Sequence, residues 1–434
     1  MGEATISLFT HKNNWNGPRN SGDNPPVRPV PDLVVRCIHT LHMLRNPDPG
    51  FQTEPHHNIT EKTPLSGENI MKKIYVAATR QHDGKTTLSI GLYMAARERG
   101  LSACFIKPVG QNYLVEDGVK VDEDAILFKH ALSADGDIAK LSPITIPRGF
   151  TEEYIFDRHP EKIHNSIREA FASVAENKDV AIIEGTGHAG VGSVIDASNA
   201  EVAKILGAHC IIVAGGGIGR CIDELALNRA LFRERGAPLT GAVINKVYRE
   251  KYKKVNRAVR QGLENVGIPC LGVIPYRKEL TFPTVKQIRD QLDLEVLTGE
   301  GYLDNKAKKI LVGAMEPQNM VSYIRDGSFV VLPGDRVDNI VISINAHLMG
   351  ERSSTPRLSG ILLTGGLTPD LNIVNLLCQV DVPVLLSKKD TATAAYRVRE
   401  LVAKITPTDE GKLALAGKLI QEHVDMDAIF DPAP

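Results

Sequence analysis

From Ile74 onward the chain alternates short apolar runs, bounded by Gly, Pro or Asn, with longer amphipathic stretches. The spacing predicts strands at Ile74–Ala78, Ala103–Lys107, Val180–Glu184, Cys210–Ala214, Ala242–Asn245 and Leu271–Ile274. Helices are predicted between them, at Lys85–Arg99, Asp124–Leu132, Glu161–Ala175, Glu201–Leu206, Ile222–Arg235 and Lys251–Val266. The strands are continuous β-branched runs rather than alternating ones, the pattern of a parallel sheet covered on both faces. The expected fold is therefore a doubly wound, mostly parallel α/β sheet over residues 71–292. Residues 293–308 read as a polar linker, and a second, smaller α/β series follows over 309–408. Its strands are predicted at Ile310–Gly313, Phe329–Leu332, Gly360–Thr364 and Val382–Leu386, and its helices at Pro317–Ile324, Asp370–Gln379 and Thr391–Lys404. Residues 409–434 read as a C-terminal tail.

Composition changes this picture at the N-terminus. Residues 1–70 hold five of the 13 histidines, and the stretch from Asn13 to Pro31 is Asn/Gly/Pro-rich with no helical or strand period. It cannot bury enough surface to order itself, so residues 1–70 are expected to be a disordered or non-native extension. A docking tail is the functional alternative. The segment lacks the basic start and continuous apolar run of a secretory signal and carries too many acids for a transit peptide.

Over the 434 residues, 51 Lys and Arg balance 52 Asp and Glu, a formal net charge of -1. That balance argues against a nucleic-acid partner bound through a global positive field. No apolar run approaches the roughly 18 residues of a membrane span, so no membrane partner is expected. The six cysteines include no C-x-x-C pair, which disfavours both a disulfide framework and a structural zinc site. Reduced thiols and a mixed surface read as a cytoplasmic enzyme or sensor.

The strongest chemical signal is the segment from Ala78 to Thr87 (ATRQHDGKTT), between the first predicted strand and helix. Backbone N–H groups of such a loop, with the helix N-terminus, form a concave donor site for phosphate oxygens. Gly84 permits close approach, Lys85 neutralises phosphate charge, and the Thr86 hydroxyl is a Mg²⁺ ligand. The strict G-x-x-x-x-G-K-[ST] pattern is broken, because Thr79 stands at its first glycine. The bland alternative is an ordinary helix start at Asp83.

The loop resembles that of dethiobiotin synthetases, G-T-x-T-x-x-G-K-T, with Ala78 replacing the leading glycine. Further matches follow in order: Lys107-Pro108-Val109, Asp124 at a helix start, Glu184-Gly185-Thr186-Gly187, Asn245 in its strand, and Leu271–Pro275. The resemblance implies that Thr79, Asp83, Gly84, Lys85, Thr86, Thr87, Gly185, Gly187 and Asn245 bind ATP. It implies that Thr86, Asp124 and Glu184 hold Mg²⁺, as hard oxygen donors at neighbouring strand ends do. Asp122 rivals Asp124 in the segment VDEDA. Lys107 either stabilises transferred charge beside Lys85 in catalysis or is a solvated lysine before a turn.

Departures from that family, including the segment from Glu184 to Asp196 and Thr281–Val285, look more like the N-terminal region of long phosphate acetyltransferases. The second series resembles the DRTGG domain that accompanies it, through Pro333–Arg336, Leu363–Leu367, Val382-Pro383 and Asp390–Ala392. The acetyltransferase domain itself is not matched. The resemblance implies a Mg·ATP-binding regulatory or sensing protein with ATPase activity and an unknown small-molecule effector. The alternative is an ATP-dependent ligase of the dethiobiotin synthetase or cobyrinic acid a,c-diamide synthase type, activating a carboxylate or carbamate. Relatives of the first domain form two-fold dimers, so a homodimer is implied as well.

Overall fold

The computed structural model describes residues 71–352 and 357–431, and the expected extension over residues 1–70 lies outside them. Six apolar runs form strands β1 (Lys72–Ala78), β2 (Ala103–Ile106), β3 (Val180–Glu184), β4 (His209–Gly215), β5 (Leu239–Val247) and β6 (Cys270–Pro275). They pair in the order β6-β5-β4-β1-β3-β2, and every neighbouring pair is parallel. All five residues of β3 are buried, as a strand covered on both faces must be. The first connection runs outward from β1 to β2 and the chain then returns through β3 and crosses to β4. The strand order therefore reverses at β1, and the crevice beyond the carboxyl ends of β1 and β3 is the topological switch point.

A second sheet contains β7 (Glu295–Thr298), β8 (Lys309–Val312), β9 (Ser328–Pro333), β10 (Leu358–Thr364) and β11 (Val384–Leu386). Its order is β7-β11-β10-β9-β8, parallel except for the antiparallel edge pair β7 and β11. Alternate residues face opposite layers. Val330, Leu332 and Ile361 pack with Ile340, Ile344 and Leu377, while Phe329, Val331 and Leu362 pack with Val285, Ile288 and Ala394.

Several stretches differ from the pattern expected of them. The expected linker 293–308 contains strand β7, whose one buried residue is Thr298; an edge strand with so little apolar surface reads as polar. The helix Val285–Leu292 precedes it, and its Val285 and Ile288 belong to the second sheet's core. Residues 337–352 form a helix that the β-branched composition of VDNIVISIN conceals, although Ile340 and Ile344 recur at helical spacing in the core. The strands Tyr113–Glu116 and Val119–Asp122 form a hairpin. Its turn is Asp117-Gly118, both at positive φ (50° and 78°), the conformation that a two-residue type I′ turn requires.

The largest correction concerns the expected tail from residue 409. Residues Glu410–His423 and Met426–Phe430 are helices, and Leu419, Ile420 and Phe430 join the apolar core of the first sheet. The helix Glu410–His423 approaches the helix Lys85–Glu98 closely. A Cβ on Gly91 would lie 2.3 Å from Ile420 Cβ, and one on Gly417 would lie 2.8 Å from Met94 Sδ. The chain thus leaves the first domain after Thr284, builds the second sheet, and returns. At the joint, buried Lys412 donates to the Phe282 carbonyl (2.7 Å) and pairs with Asp409 (3.3 Å), which also binds Lys306 (2.7 Å).

Candidate functional site

β1 delivers the loop 79–84 to the switch point, where Gly84 (φ 108°) precedes the helix Lys85–Glu98. No side chain caps that helix and its first turn carries no acid, so its leading N–H groups present an uncompensated positive end. The loop is braced from behind. Thr79 Oγ1 donates to Asp83 Oδ2 (2.8 Å), Asn245 Nδ2 donates to the Asp83 carbonyl (2.9 Å), and Lys246 Nζ donates to the His82 carbonyl (2.6 Å). A Cβ at Gly84 would stand 2.0 Å from Asn245 Nδ2, so the glycine is required both by its φ and by this contact.

Asp124 lies in the first turn of the helix Glu123–Ala131, and Glu184 ends β3, fully buried. The Thr86 hydroxyl lies 3.2 Å from Asp124 Oδ1 and 3.0 Å from Glu184 Oε1, donating to one or the other. Lys107 follows β2 and places its ammonium 2.6 Å from Asp124 Oδ2 and 2.9 Å from Glu184 Oε1. Asp122 is differently engaged. As the helix N-cap it accepts from the Asp124 backbone N–H (3.0 Å) and also accepts the N–H of Asn112. The structure therefore brings Asp124 onto the Thr86–Lys107–Glu184 cluster and gives Asp122 to the turn beneath it.

Electrostatics divide the cluster. Burial opposes charge on Lys107, yet Asp124 and Glu184 outweigh it and hold the ammonium well above its ordinary range. Burial also works against Asp124, but Lys107 holds its carboxyl well below the usual carboxylate range. For Glu184 burial wins over Lys107 and pushes the pKa up to about 7. Its Oε2 is buried without a hydrogen-bond partner among the described residues. Lys85, also buried, is lowered first by burial and then by Lys107. Among the described residues it holds no carboxylate in an ion pair.

Glu184 has a folded-state pKa above the ordinary 4.5. Between about pH 4.5 and 7 the folded chain keeps a proton that the unfolded chain has released, so stability falls as pH rises through that window. Asp122, pushed up to about 6 chiefly by burial, acts in the same direction. Asp124 acts oppositely, but only as pH falls below the ordinary carboxylate range. Glu184→Gln is expected to flatten the slope by up to about 1.4 kcal/mol per pH unit. Thermal melts from pH 5 to 8 check this, and parallel wild-type and variant curves would contradict it.

Around the cluster, Gly185, Thr186 and Gly187 form a turn held by Asn199. Asn199 accepts from Tyr75 Oη (2.9 Å) and the Thr186 N–H (3.0 Å), and donates to the carbonyls of Thr186 and His188. Thr87 lines the same cavity. Sequence reasoning passed over Asn199, Lys246 and Lys404. Lys246, adjacent to Asn245, carried a local signal; Asn199 sits at an ordinary helix start. Lys404 lies more than 120 residues beyond every lining group that precedes Val402, and had no local signal at all.

A parallel sheet with a Gly-Lys-Thr loop at its switch point defines a P-loop NTPase-type protein, here joined to a second, smaller α/β domain. Residues 72–284 match the AAA domain family and residues 287–401 match the DRTGG domain family; the chain carries a P-loop domain of the first kind followed by a DRTGG domain. Among curated proteins, it is 27% identical over 361 residues to a phosphate acetyltransferase of Nitratidesulfovibrio vulgaris, covering 81% of this chain and 50% of that one. To the phosphate acetyltransferase of Pseudomonas putida it is 25% identical over 371 residues, covering 82% and 51%. The chain spans about half the length of the curated relatives it matches. Similar solved structures include the septum site-determining protein MinD complexed with Mg-ADP from Pyrococcus horikoshii (15% identity, 49% of this chain, 84% of that one, TM-score 0.32). Another contains the CBS and DRTGG domains of the regulatory region of a Clostridium perfringens pyrophosphatase (16% identity, 36% and 73%, TM-score 0.23). Among the described residues no helix is long and apolar enough to cross a membrane.

Proposed function

We propose that this chain binds Mg·ATP at the loop 79–87 and acts as a regulatory or sensing protein of the phosphate acetyltransferase N-terminal type, with ATPase activity. The observation that carries the reading is the convergence, at one strand-end crevice, of Thr86 and Asp124 with a buried Lys85 and a Glu184 Oε2 that are both unpaired among the described residues. A buried ammonium with no ion-pair partner among the described residues, and a buried carboxylate oxygen with no donor among them, are both costly. A polyphosphate and a divalent cation relieve both at once.

The donor set fits such a pair. Lys85 and the helix N–H groups would hold phosphate oxygens, while Thr86, Asp124 and Glu184 supply hard oxygen donors. Among the described residues no three His, Cys, Asp or Glu side chains converge to hold a metal alone. That agrees with Mg²⁺, which keeps waters and takes phosphate oxygens for its other positions. The bound cation supplies charge neutralisation for the phosphates. Lys107, already held between Asp124 and Glu184, keeps their charge balanced. Its ammonium is directed at the two carboxylates, which favours binding and sensing over the ligase alternative. The curated relatives carry the acetyltransferase name, and the DRTGG match supports an effector-reading second domain.

Calorimetric titration of the full chain with ATP, with and without Mg²⁺, tests the reading. Micromolar to millimolar binding that strengthens with Mg²⁺ is expected, and no binding in either condition rejects it. Turnover of a carboxylate or carbamate substrate with ATP would instead establish the ligase.

A further inference from the structure

After the helix Thr391–Arg399 the chain crosses back toward the first domain through residues 401–406, in neither helix nor strand. From residue 402 on, this strap lies outside both family matches, which end at 284 and 401. It nevertheless walls the phosphate-loop cavity. Val402, Ala403, Lys404 and Ile405 line the same space as Gly84, Lys85, Thr86 and Lys107.

The strap's backbone is anchored. Gln287 Nε2 donates to the Lys404 carbonyl (2.7 Å) and Gln291 Nε2 to the Val402 carbonyl (3.4 Å). Gln287 is itself fixed by a reciprocal capping box with Thr284. With its backbone so held, Lys404 carries its ammonium to Glu123, the residue between Asp122 and Asp124. Its charge reaches His82 of the loop as well as Asp122 and Asp124.

Lys85 and Lys107 are nearly buried, but the Lys404–Glu123 pair is about one-third exposed on each side. A pair so open to water is worth little, of the order of 0–1 kcal/mol. A phosphate group in the cavity is a stronger acceptor for the same ammonium. Past His82 and Asn112 the cavity runs on into a groove lined by Tyr396 and Arg397, so Lys404 stands at the junction of two recesses.

We propose that Lys404 is a nucleotide-binding residue of the phosphate-loop site, delivered by the strap: when a nucleoside polyphosphate enters, its ammonium leaves Glu123 for a phosphate oxygen at the cavity mouth. This rests on the Mg·ATP reading above. Nucleotide affinity then depends on the strap, and through Gln287 and Gln291 on the second domain that positions it.

The test is calorimetric titration of the full chain with Mg·ATP, for wild type, Lys404→Ala, Glu123→Gln and Lys85→Ala, with a melting curve of each nucleotide-free variant. Lys404→Ala is expected to raise Kd roughly tenfold and to reduce the salt dependence of binding. Glu123→Gln, which breaks the same ion pair but keeps the cation, is expected to bind as tightly as wild type or more tightly. If both variants lose affinity alike, the pair merely braces the strap and the proposal is overturned. If Lys404→Ala binds like wild type while Lys85→Ala does not, the proposal is overturned and the Mg·ATP reading stands. If wild type itself binds no Mg·ATP, both fall together.

Discussion

Ending the chain at Pro407 is expected to abolish cooperative folding of the first domain. The cut removes Leu413, Leu419, Ile420, Val424, Met426, Ile429 and Phe430, all of them buried. At roughly 1.5–3 kcal/mol for each large apolar side chain, the loss is on the order of 10 kcal/mol or more, an upper bound because unfolded chains already bury some surface. Net stabilities of about 5–15 kcal/mol leave no margin for it. The face of the helix Lys85–Glu98 around Gly91 and Met94 would be uncovered as well. Far-UV circular dichroism melts and gel filtration check this. A truncated chain that stays monomeric and melts within a few degrees of the full chain would refute the placement of these helices in the core.

Lys85→Ala is expected to separate binding from stability. The buried ammonium has no ion-pair partner among the described residues, and burial, then repulsion by Lys107, outweigh the attraction of Glu184, Asp124 and Asp83. Removing it therefore relieves a desolvation penalty, and the unliganded melting temperature should stay level or rise. Hydrogen bonds to charged groups contribute about 1.5–3 kcal/mol, so Mg·ATP affinity should fall roughly 10- to 150-fold. A drop in melting temperature with unchanged affinity would identify Lys85 as a structural residue and remove the basis of the nucleotide reading.

The parts of the fold legible in the sequence were those written in continuous apolar runs. The sequence places a strand at Val180–Glu184 and the structure has it at the same bounds, because its continuous run of four apolar residues stops sharply at Glu184. The helix Val337–Arg352 was illegible for the opposite reason: valine and isoleucine favour strands locally, and tertiary packing overrode them. The helix Glu410–His423 mixes charges with small residues, and its buried face becomes apparent only against Gly91 and Met94 of a helix more than 300 residues earlier. At the candidate site, Gly84, Lys85 and Thr86 were legible because they are contiguous. The choice between Asp122 and Asp124 was not, since it depends on which carboxylate the helix cap consumes. Lys404 reaches the cavity only because a whole domain folds between it and the loop.

That excursion bears on how the protein is made. All six strands of the first sheet leave the ribosome before the second domain, yet the helix that seals them emerges after it. Joining Thr284 to Asp409 through a flexible loop of roughly a hundred residues would cost about 4 kcal/mol of closure entropy. The folded second domain removes that cost by presenting its two ends side by side, tied through Lys306 to both Thr284 and Asp409. During synthesis it serves as the clasp, and damage to its core should surface as nascent chains whose first domain never closes.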